Sequence, residues 1–227
     1  MRKTIWLRFV LGLTLITGSL TLRAATTLAD AEKEVDAAGK TLDNFVADPE
    51  MGWFRDHAKE AKGLIICSQI VRAGFIIGGS GGRCVFVAKE DKAWTGPAFY
   101  TMATGSVGFQ AGVESSEVMG LAMTQKAVDS LMSKAFKLGG DATIAVGPVG
   151  AGTGATPGAD FIFYNRSKGV YGGVNLSGSS VKPSDSYNKA YYGHSVSPIT
   201  IIVKGKAHNK TADAALMSKV RKLYGEK

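Results

Sequence analysis

The chain has 227 residues, of which 45% are hydrophobic, 27 are basic and 19 are acidic. This length is sufficient to bury a large core in one or two domains, so the fold does not need a dense set of disulfides or metal ions. Four basic residues lie in the first 24 positions, and the remaining 23 basic and 19 acidic side chains leave an excess of +4, which is too small to indicate a nucleic-acid partner.

The amino terminus has the pattern of an export signal. Arg2, Lys3 and Arg8 precede an apolar run at 9–22 that matches a signal-peptide core and is too short for a spanning helix. We expect residues 1–24 to be a signal peptide and the mature protein to be exported, to the periplasm or cell envelope. An uncleaved membrane anchor is the alternative, and the cleavage site stays open.

Two helices are predicted next. Apolar residues recur at intervals of three and four from Leu28 to Phe45, which indicates a helix with one buried stripe. Its other face is acidic, so we expect it to pack on the protein's own sheet rather than on an anionic membrane. Pro49 fits the first turn of a second, short helix that contains Trp53 and Phe54.

From residue 63 onward, β-branched and aromatic runs alternate with glycines, which is typical of an antiparallel sheet. We interpret GGSGG, residues 78–82, as a hairpin turn. It also matches the G-x-S-x-G motif of serine hydrolases with Ser80 as nucleophile, but that motif requires a following helix and a strand is predicted here. Cys67 and Cys84 flank the segment, and they either pair as a disulfide or remain buried thiols.

The uncharged stretch WTGPAFYTMATGSVGFQAG, residues 94–112, combines four aromatic residues with four glycines. In tightly curved strands, glycine lets backbones approach while aromatic side chains fill the remaining space. The stretch therefore predicts either a curved sheet built for stability alone or an apolar groove.

The second half of the sequence predicts a helix capped by Thr124, then further strands, a last strand at 198–203 and a final helix. The buried side of that final helix consists of Leu216, Met217, Val220 and Leu223. The overall prediction is an α+β fold, in which a strongly curved antiparallel or small barrel-like sheet is flanked by about four helices. His57, His194 and His208 show no metal-ligand spacing, so we expect no metal and no cofactor.

Charge is distributed unevenly along the chain. Residues 25–60 carry four basic and nine acidic side chains, whereas residues 181–227 carry nine basic and three acidic ones among several tyrosines. Lysines near an anionic bilayer contribute about 1 kcal/mol each, and tyrosine prefers the headgroup layer. The carboxyl-terminal region is therefore either a membrane-facing surface or only a solubilising one.

Five strings, in this order, resemble the SYLF domain, a lipid-binding module of exported bacterial proteins and of eukaryotic actin-regulating proteins. They are AGFIIGGSGGRCVFVAK, WTGPAFYTMATGSVGFQAG, KAFKLGGDATIAVGPVG, YNRSKGVYGGVNLSG and NKAYYG. The resemblance implies antiparallel strands flanked by helices, affinity for membrane lipids and no enzyme activity. We assign helices to 25–60, the SYLF-like domain to 58–193, and a strand and basic helix completing that domain to 194–227.

The expected function is thus that of a non-catalytic lipid-binding protein, peripheral to the membrane, that contacts anionic phospholipid headgroups. An envelope protein-interaction or scaffold module without lipid affinity is the alternative. The lipid, the oligomeric state and the choice between surface binding and an enclosed pocket stay open. The predicted lipid-binding residues are Arg72, Arg83, Trp94, Phe99, Tyr100, Arg166, Lys168, Lys204 and Lys206.

Overall fold

The structure, a computed structural model, describes residues 25–74, 77–90, 93–107, 112–149, 157–167, 170–172, 176–205 and 213–226. The helices are α1 (Leu28–Ala47), α2 (Gly52–Ala58), α3 (Gln125–Leu131), α4 (Asp185–Tyr192), α5 (Pro198–Ile201) and α6 (Asp213–Leu223), with a 3₁₀ turn at Pro49–Met51. The strands are β1 (Gly63–Gly74), β2 (Ile77–Glu90), β3 (Ala93–Val107), β4 (Gly112–Ala122), β5 (Phe136–Lys137), β6 (Ile144–Val146), β7 (Phe161–Ser167), β8 (Val170–Gly172) and β9 (Ser180–Pro183).

These strands form one sheet in the order β5-β9-β3-β2-β1-β4-β7-β6, with β8 also paired to β7. The pairs are antiparallel except for β6 with β7. Four long strands, β1 to β4, occupy the middle of the sheet. Strands β1, β2 and β3 pair in chain order as consecutive antiparallel neighbours, whereas β4 pairs with β1 rather than with β3.

The sheet is curled. Strands β5 and β6 lie at its opposite edges, yet only residues 138–143 connect them. In a flat sheet of eight strands the edges would be about 34 Å apart at roughly 4.8 Å per pair, whereas six linking residues reach about 24 Å. The ring centroids of Phe136 in β5 and Phe161 in β7 are 6.0 Å apart, which requires the edges to approach each other. The predicted α+β fold with a strongly curved sheet is confirmed.

Curling creates two cores, one on each face of the sheet. On the outer side, Leu64, Val85 and Phe99 pack against α1, α2, α4 and α6, and we call this the convex core. On the inner side, Ile65 and Phe86 pack with Phe161 and with residues of α3 and α5, and we call this the concave core. Neighbouring residues of one strand therefore belong to different cores.

The predicted helical stripes are buried as expected. In α1 every position of the predicted stripe except Leu28, which is 46% exposed, belongs to the convex core. In α6 the four predicted residues are buried. Thr27 and Thr124 cap α1 and α3 by accepting backbone hydrogen bonds. The described part of the chain contains six helices rather than about four, and the two that were not predicted are α4 and α5.

The interpretation of GGSGG as a turn is wrong. Residues 78–82 lie inside β2, paired on one side with β1 and on the other with β3. The glycines allow close backbone approach rather than chain reversal. A Cβ atom added at Gly82 would lie 2.0 Å from the carbonyl oxygen of Gln69, so this position excludes any other residue.

The predicted strand at 198–203 is also wrong, because Pro198–Ile201 is α5. The β-branched run favours a strand, but the two residues at its start favour a helix. Ser197 accepts a hydrogen bond from the amide of Thr200, and Pro198 occupies the first turn, where its missing amide hydrogen has no cost.

Cys67 and Cys84 form a disulfide that links β1 to β2, which settles the alternative left open by the sequence. Both cysteines are buried in the concave core. A β-bulge in β1 places Cys67 and Ser68 opposite the single Cys84, so that the Ser68 hydroxyl reaches α1 and donates to Glu34 at 2.8 Å.

Asp160, just before β7, is a buried carboxylate that joins the start of α3 to Thr143, the residue just before β6. Its oxygens accept hydrogen bonds from the Thr124 hydroxyl (2.7 Å), from the Thr143 amide and hydroxyl (both 2.8 Å) and from the Lys126 ammonium (3.2 Å). Burial alone would raise the pKa of Asp160, but these donors hold the pKa well below its ordinary value of 3.8.

We expect Asp160→Asn to lower the free energy of unfolding at pH 7 by about 2 kcal/mol, because buried donors lose a charged acceptor. Since the folded pKa is depressed, the carboxylate stabilises the fold above pH 4, and this contribution is lost as the pH falls toward the folded pKa. The difference between wild type and variant in urea unfolding should therefore shrink between pH 7 and pH 3. Asp36→Asn, at an exposed position of α1, should leave the free energy of unfolding unchanged at both pH 7 and pH 3. An equal loss of stability in both variants would contradict this account.

Removal of the disulfide by the double change Cys67→Ala and Cys84→Ala should lower the free energy of unfolding by about 3 kcal/mol, the value expected for a loop of this length. The separation that sets this loop is 17 residues. Denaturant unfolding under non-reducing conditions measures the effect. An unchanged unfolding midpoint, or two alkylatable thiols in the unfolded oxidised wild type, would contradict the cross-link.

Candidate functional site: a basic groove between three helices

Two of the predicted arginines are paired with acids of α1 or β4. Arg83 lies 3.5 Å from Glu34 (Nε to Oε2), and its guanidinium lies 4.6 Å from the centroid of the Tyr187 ring. Arg166 donates to Glu117 at 2.7 Å. Glu117 also accepts from the Thr41 hydroxyl at 2.9 Å, which ties α1 to the sheet. The positive charge of each arginine is thus partly neutralised by its acidic partner.

The other predicted cations lie elsewhere. Arg72 is half-buried on the concave face of β1, between its cross-strand partners Ser80 and Glu114. Lys204 is exposed just after α5, whose buried Ile201 belongs to the concave core. Lys168 and Lys206 fall outside the described residues. The structure therefore does not gather the described members of this set into one surface.

The three predicted aromatic residues are structural in their contacts. Phe99 and Tyr100 are fully buried on opposite faces of β3, where Tyr100 donates to the Leu131 carbonyl at 2.7 Å. Burial raises the pKa of Tyr100 above its usual value. Trp94 is half-buried, with its ring centroid 4.4 Å from that of Tyr224. Phe99 and Tyr100 leave no surface for an acyl chain in this conformation.

An apolar groove instead opens where the C-terminal half of α1 meets α2 and α6, with a volume of about 690 Å³. Its apolar lining consists of Leu42, Val46, Ala47 and Leu223, and its charged lining of Arg55, Lys59, Lys219, Lys222, Asp43 and Asp56. The stripe that buries α1 and α6 in the convex core continues to the surface here and supplies the floor. Four cations against two carboxylates leave the rim basic.

Two of the four cations have structural roles. Arg55 donates to the carbonyls of Val46 and Asp48, which closes the carboxyl end of α1. Lys219 donates to the Gly39 carbonyl at 3.3 Å and to the Asp43 carboxylate, which joins α6 to α1. These contacts shape the groove.

Lys59 and Lys222 are the available cations. Both are exposed, and neither forms an ion pair with any residue that the structure describes. Lys59 follows α2 and Lys222 lies in the last turn of α6, so each stands near the negative end of a helix dipole. Their ammonium groups can attract an anion without first breaking an ion pair.

A second cleft of about 440 Å³ lies between α1, the bulge of β1 and Tyr187 of α4. Its charged lining consists of Lys33 and Arg83 with Asp30 and Glu34. The opposite charges are equal in number, and Arg83 is already paired with Glu34. This cleft offers less to an anion than the basic groove does.

The geometry at Ser80 does not match a nucleophile elbow, because this residue lies within β2 between cross-strand partners in β1 and β3. Within the described ranges, no group of three or more His, Cys, Asp or Glu side chains is placed to hold a metal ion. No helix in the described part of the chain is long and apolar enough to cross a membrane.

The fold and the groove together define a class of protein, namely a curled α+β domain with a basic groove that has an apolar floor. Comparison with known proteins assigns the family. A family model described as "Las17-binding protein actin regulator" matches residues 103–223, more than half of the chain. The chain belongs to this Ysc84 family, that of the SYLF domain, as its sequence resemblance indicated.

Named relatives agree with this assignment. The chain is 31% identical over 176 residues to Protein YSC84 of Saccharomyces cerevisiae, covering 71% of this chain and 37% of that protein. It is 33% identical over 139 residues to the SH3 domain-containing YSC84-like protein 1 of Homo sapiens, covering 59% and 40%. The matched part thus spans about two fifths of the length of these relatives.

Part of the groove was visible in the sequence. Lys219 and Lys222 belong to the basic carboxyl-terminal region, and their spacing of three residues places them beside the buried stripe of α6. Arg55 and Lys59 were missed, because α2 is too short for its pattern to show which side faces α6.

Proposed function

We propose that this protein is a non-catalytic lipid-binding protein of the cell envelope that holds an anionic phospholipid headgroup at the basic groove. The observation that carries the proposal is the position of Lys59 and Lys222, two lysines without an ion pair among the described residues, above an apolar floor. The family description supports a non-catalytic role.

The chemistry of the groove suits an amphiphile better than a simple ion. Lysine ammonium groups attract phosphate as point charges, while Leu42, Val46 and Leu223 offer apolar surface to the first segments of an acyl chain. The volume of about 690 Å³ lies within the usual range for small-ligand sites. The site is open, so it supports contact with a membrane surface as well as capture of a single lipid.

Location in the envelope is part of the same proposal. The export pattern of residues 1–24 supports it, and so does the disulfide, because such bonds persist in oxidising compartments.

The test is cosedimentation of the mature chain with phosphatidylglycerol-containing vesicles and with purely zwitterionic vesicles at low ionic strength. The double variant Lys59→Gln with Lys222→Gln should bind the anionic vesicles about 30-fold more weakly, since two lysine contacts contribute roughly 2 kcal/mol. Wild-type binding should fall as salt is raised.

Two control variants make this test specific. Lys134→Gln with Lys182→Gln removes the same charge from exposed lysines away from the groove and should have little effect. Arg83→Gln with Arg166→Gln removes two cations predicted from the sequence, and it should also have little effect because both are paired with acids. Equal loss in all three variants would reduce the proposal to general charge attraction.

Absence of anionic-vesicle binding by the wild type would contradict the lipid proposal altogether. The alternative, a protein-interaction or scaffold module, draws its support from the Las17-binding and actin-regulating description of the family. It predicts that a specific envelope protein is recovered by crosslinking while lipid affinity is absent.

A further inference from the structure

The four central strands are longer than the layers that cover them. Burial ends near Ile70, Gly82, Met102 and Glu117, and beyond these residues β1 to β4 continue with exposed or half-exposed positions. We call this projecting part the blade, which comprises residues 71–74, 78–82, 103–105 and 112–116.

The two faces of the blade differ in chemistry. Cross-strand partners share a face, and two rows of partners lie on the convex side in the strand order β3, β2, β1, β4. The first row is Gly105, Gly79, Ala73 and Val113, and the second row is Ala103, Gly81, Val71 and Ser115. None of these eight residues is charged. The matching row on the concave side is Thr104, Ser80, Arg72 and Glu114.

This distribution of polar side chains is the reverse of what solvent exposure favours. On the convex face of the blade, Val71 and Gly81 border the cleft beside α1, and Val71 is still 38% exposed. The rest of this face is exposed or half-exposed, with Val113 at 77%, yet it lacks polar side chains larger than serine. The charged residues are instead on the inner side of the curl. An exposed, contiguous, uncharged face of this kind is typical of a contact surface.

The size of the face argues against a protein partner as its sole occupant. Four strands spaced at about 4.8 Å and two rows of residues cover roughly 300 Å², whereas a stable protein interface needs about 800 Å² on each partner. A bilayer has no such minimum, because it accepts any apolar surface that reaches it. Small residues also let the sheet lie close against a flat layer.

The basic groove lies on the same side of the sheet. Helices α1, α2 and α6, which form the groove, all pack in the convex core. We propose that the convex face of the blade lies against the acyl layer of a phospholipid bilayer when the protein binds a membrane, an inference that rests on the proposed function.

A site-specific dye tests this directly. Because both native cysteines are in the disulfide, a thiol introduced by Val113→Cys is the single site for an environment-sensitive label such as nitrobenzoxadiazole. With phosphatidylglycerol-containing vesicles, emission from position 113 should shift to the blue and be quenched by lipids brominated on the acyl chain. Ile199→Cys is the matched control, since Ile199 is also exposed, at 43%, but lies on α5 at the concave core. Its emission should not change.

A second pair of variants avoids the label. Val113→Glu should weaken vesicle binding severalfold, because it places a charge on the face that meets the acyl layer. Ile199→Glu makes the same change at the control position and should bind like wild type. Ser115→Cys provides a second labelling position on the convex face if the change at Val113 disturbs folding.

The outcomes separate this inference from the proposed function. If wild type binds anionic vesicles but the labels at 113 and 115 keep their emission in water, the blade proposal is wrong and the groove proposal stands. If wild type does not bind vesicles, the proposed function itself fails. A spectral shift that needs no lipid and grows with protein concentration would assign the face to a second copy and overturn the proposal.

Discussion

Helix α1 crosses the long strands part-way along their length, and its polar contacts with the sheet determine what each part of the sheet can do. Glu34 holds Ser68 and Arg83 at one end, and Glu117 of β4 accepts from Thr41 and Arg166 at the other. On one side of this line the strands are buried on both faces. On the other side they project as the blade, whose convex face is exposed or half-exposed.

This line of contacts also decides which cations are available to a ligand. An arginine that pairs with an acid must lose that pair, or share it, before it binds a phosphate, whereas Lys59 and Lys222 have no such competitor among the described residues. The functional consequence is that the cations that fix the fold and the cations that can attract an anion are different residues. Groove and blade lie on the same side of the sheet but toward opposite ends of its long strands, since Tyr224 beside the groove donates to Ala61 ahead of β1, whereas the blade contains the last residues of β1.

Local patterns predicted local structure well in this chain. The periodic stripes of α1 and α6, and the glycine and aromatic texture of a curved sheet, follow from spacing alone. Glycine was ambiguous, because the same residue permits a tight turn and permits the close approach of Gly82 to Gln69. The β-branched residues of 198–203 favour a strand, but the Ser-Pro start signal favours a helix, and the helix α5 forms. The site was the harder part, since Arg166 and Glu117 are separated by 49 residues and no spacing rule reveals their pairing.

The central claim is that Lys59 and Lys222, rather than the lysines at large, contact anionic lipid. Site-resolved acetylation of lysines, measured by mass spectrometry with and without phosphatidylglycerol vesicles, tests it in the unmodified protein. The account predicts that acetylation slows at Lys59 and Lys222 and stays unchanged at Lys134 and Lys182. Protection spread evenly over all four lysines, or confined to the last two, would contradict it.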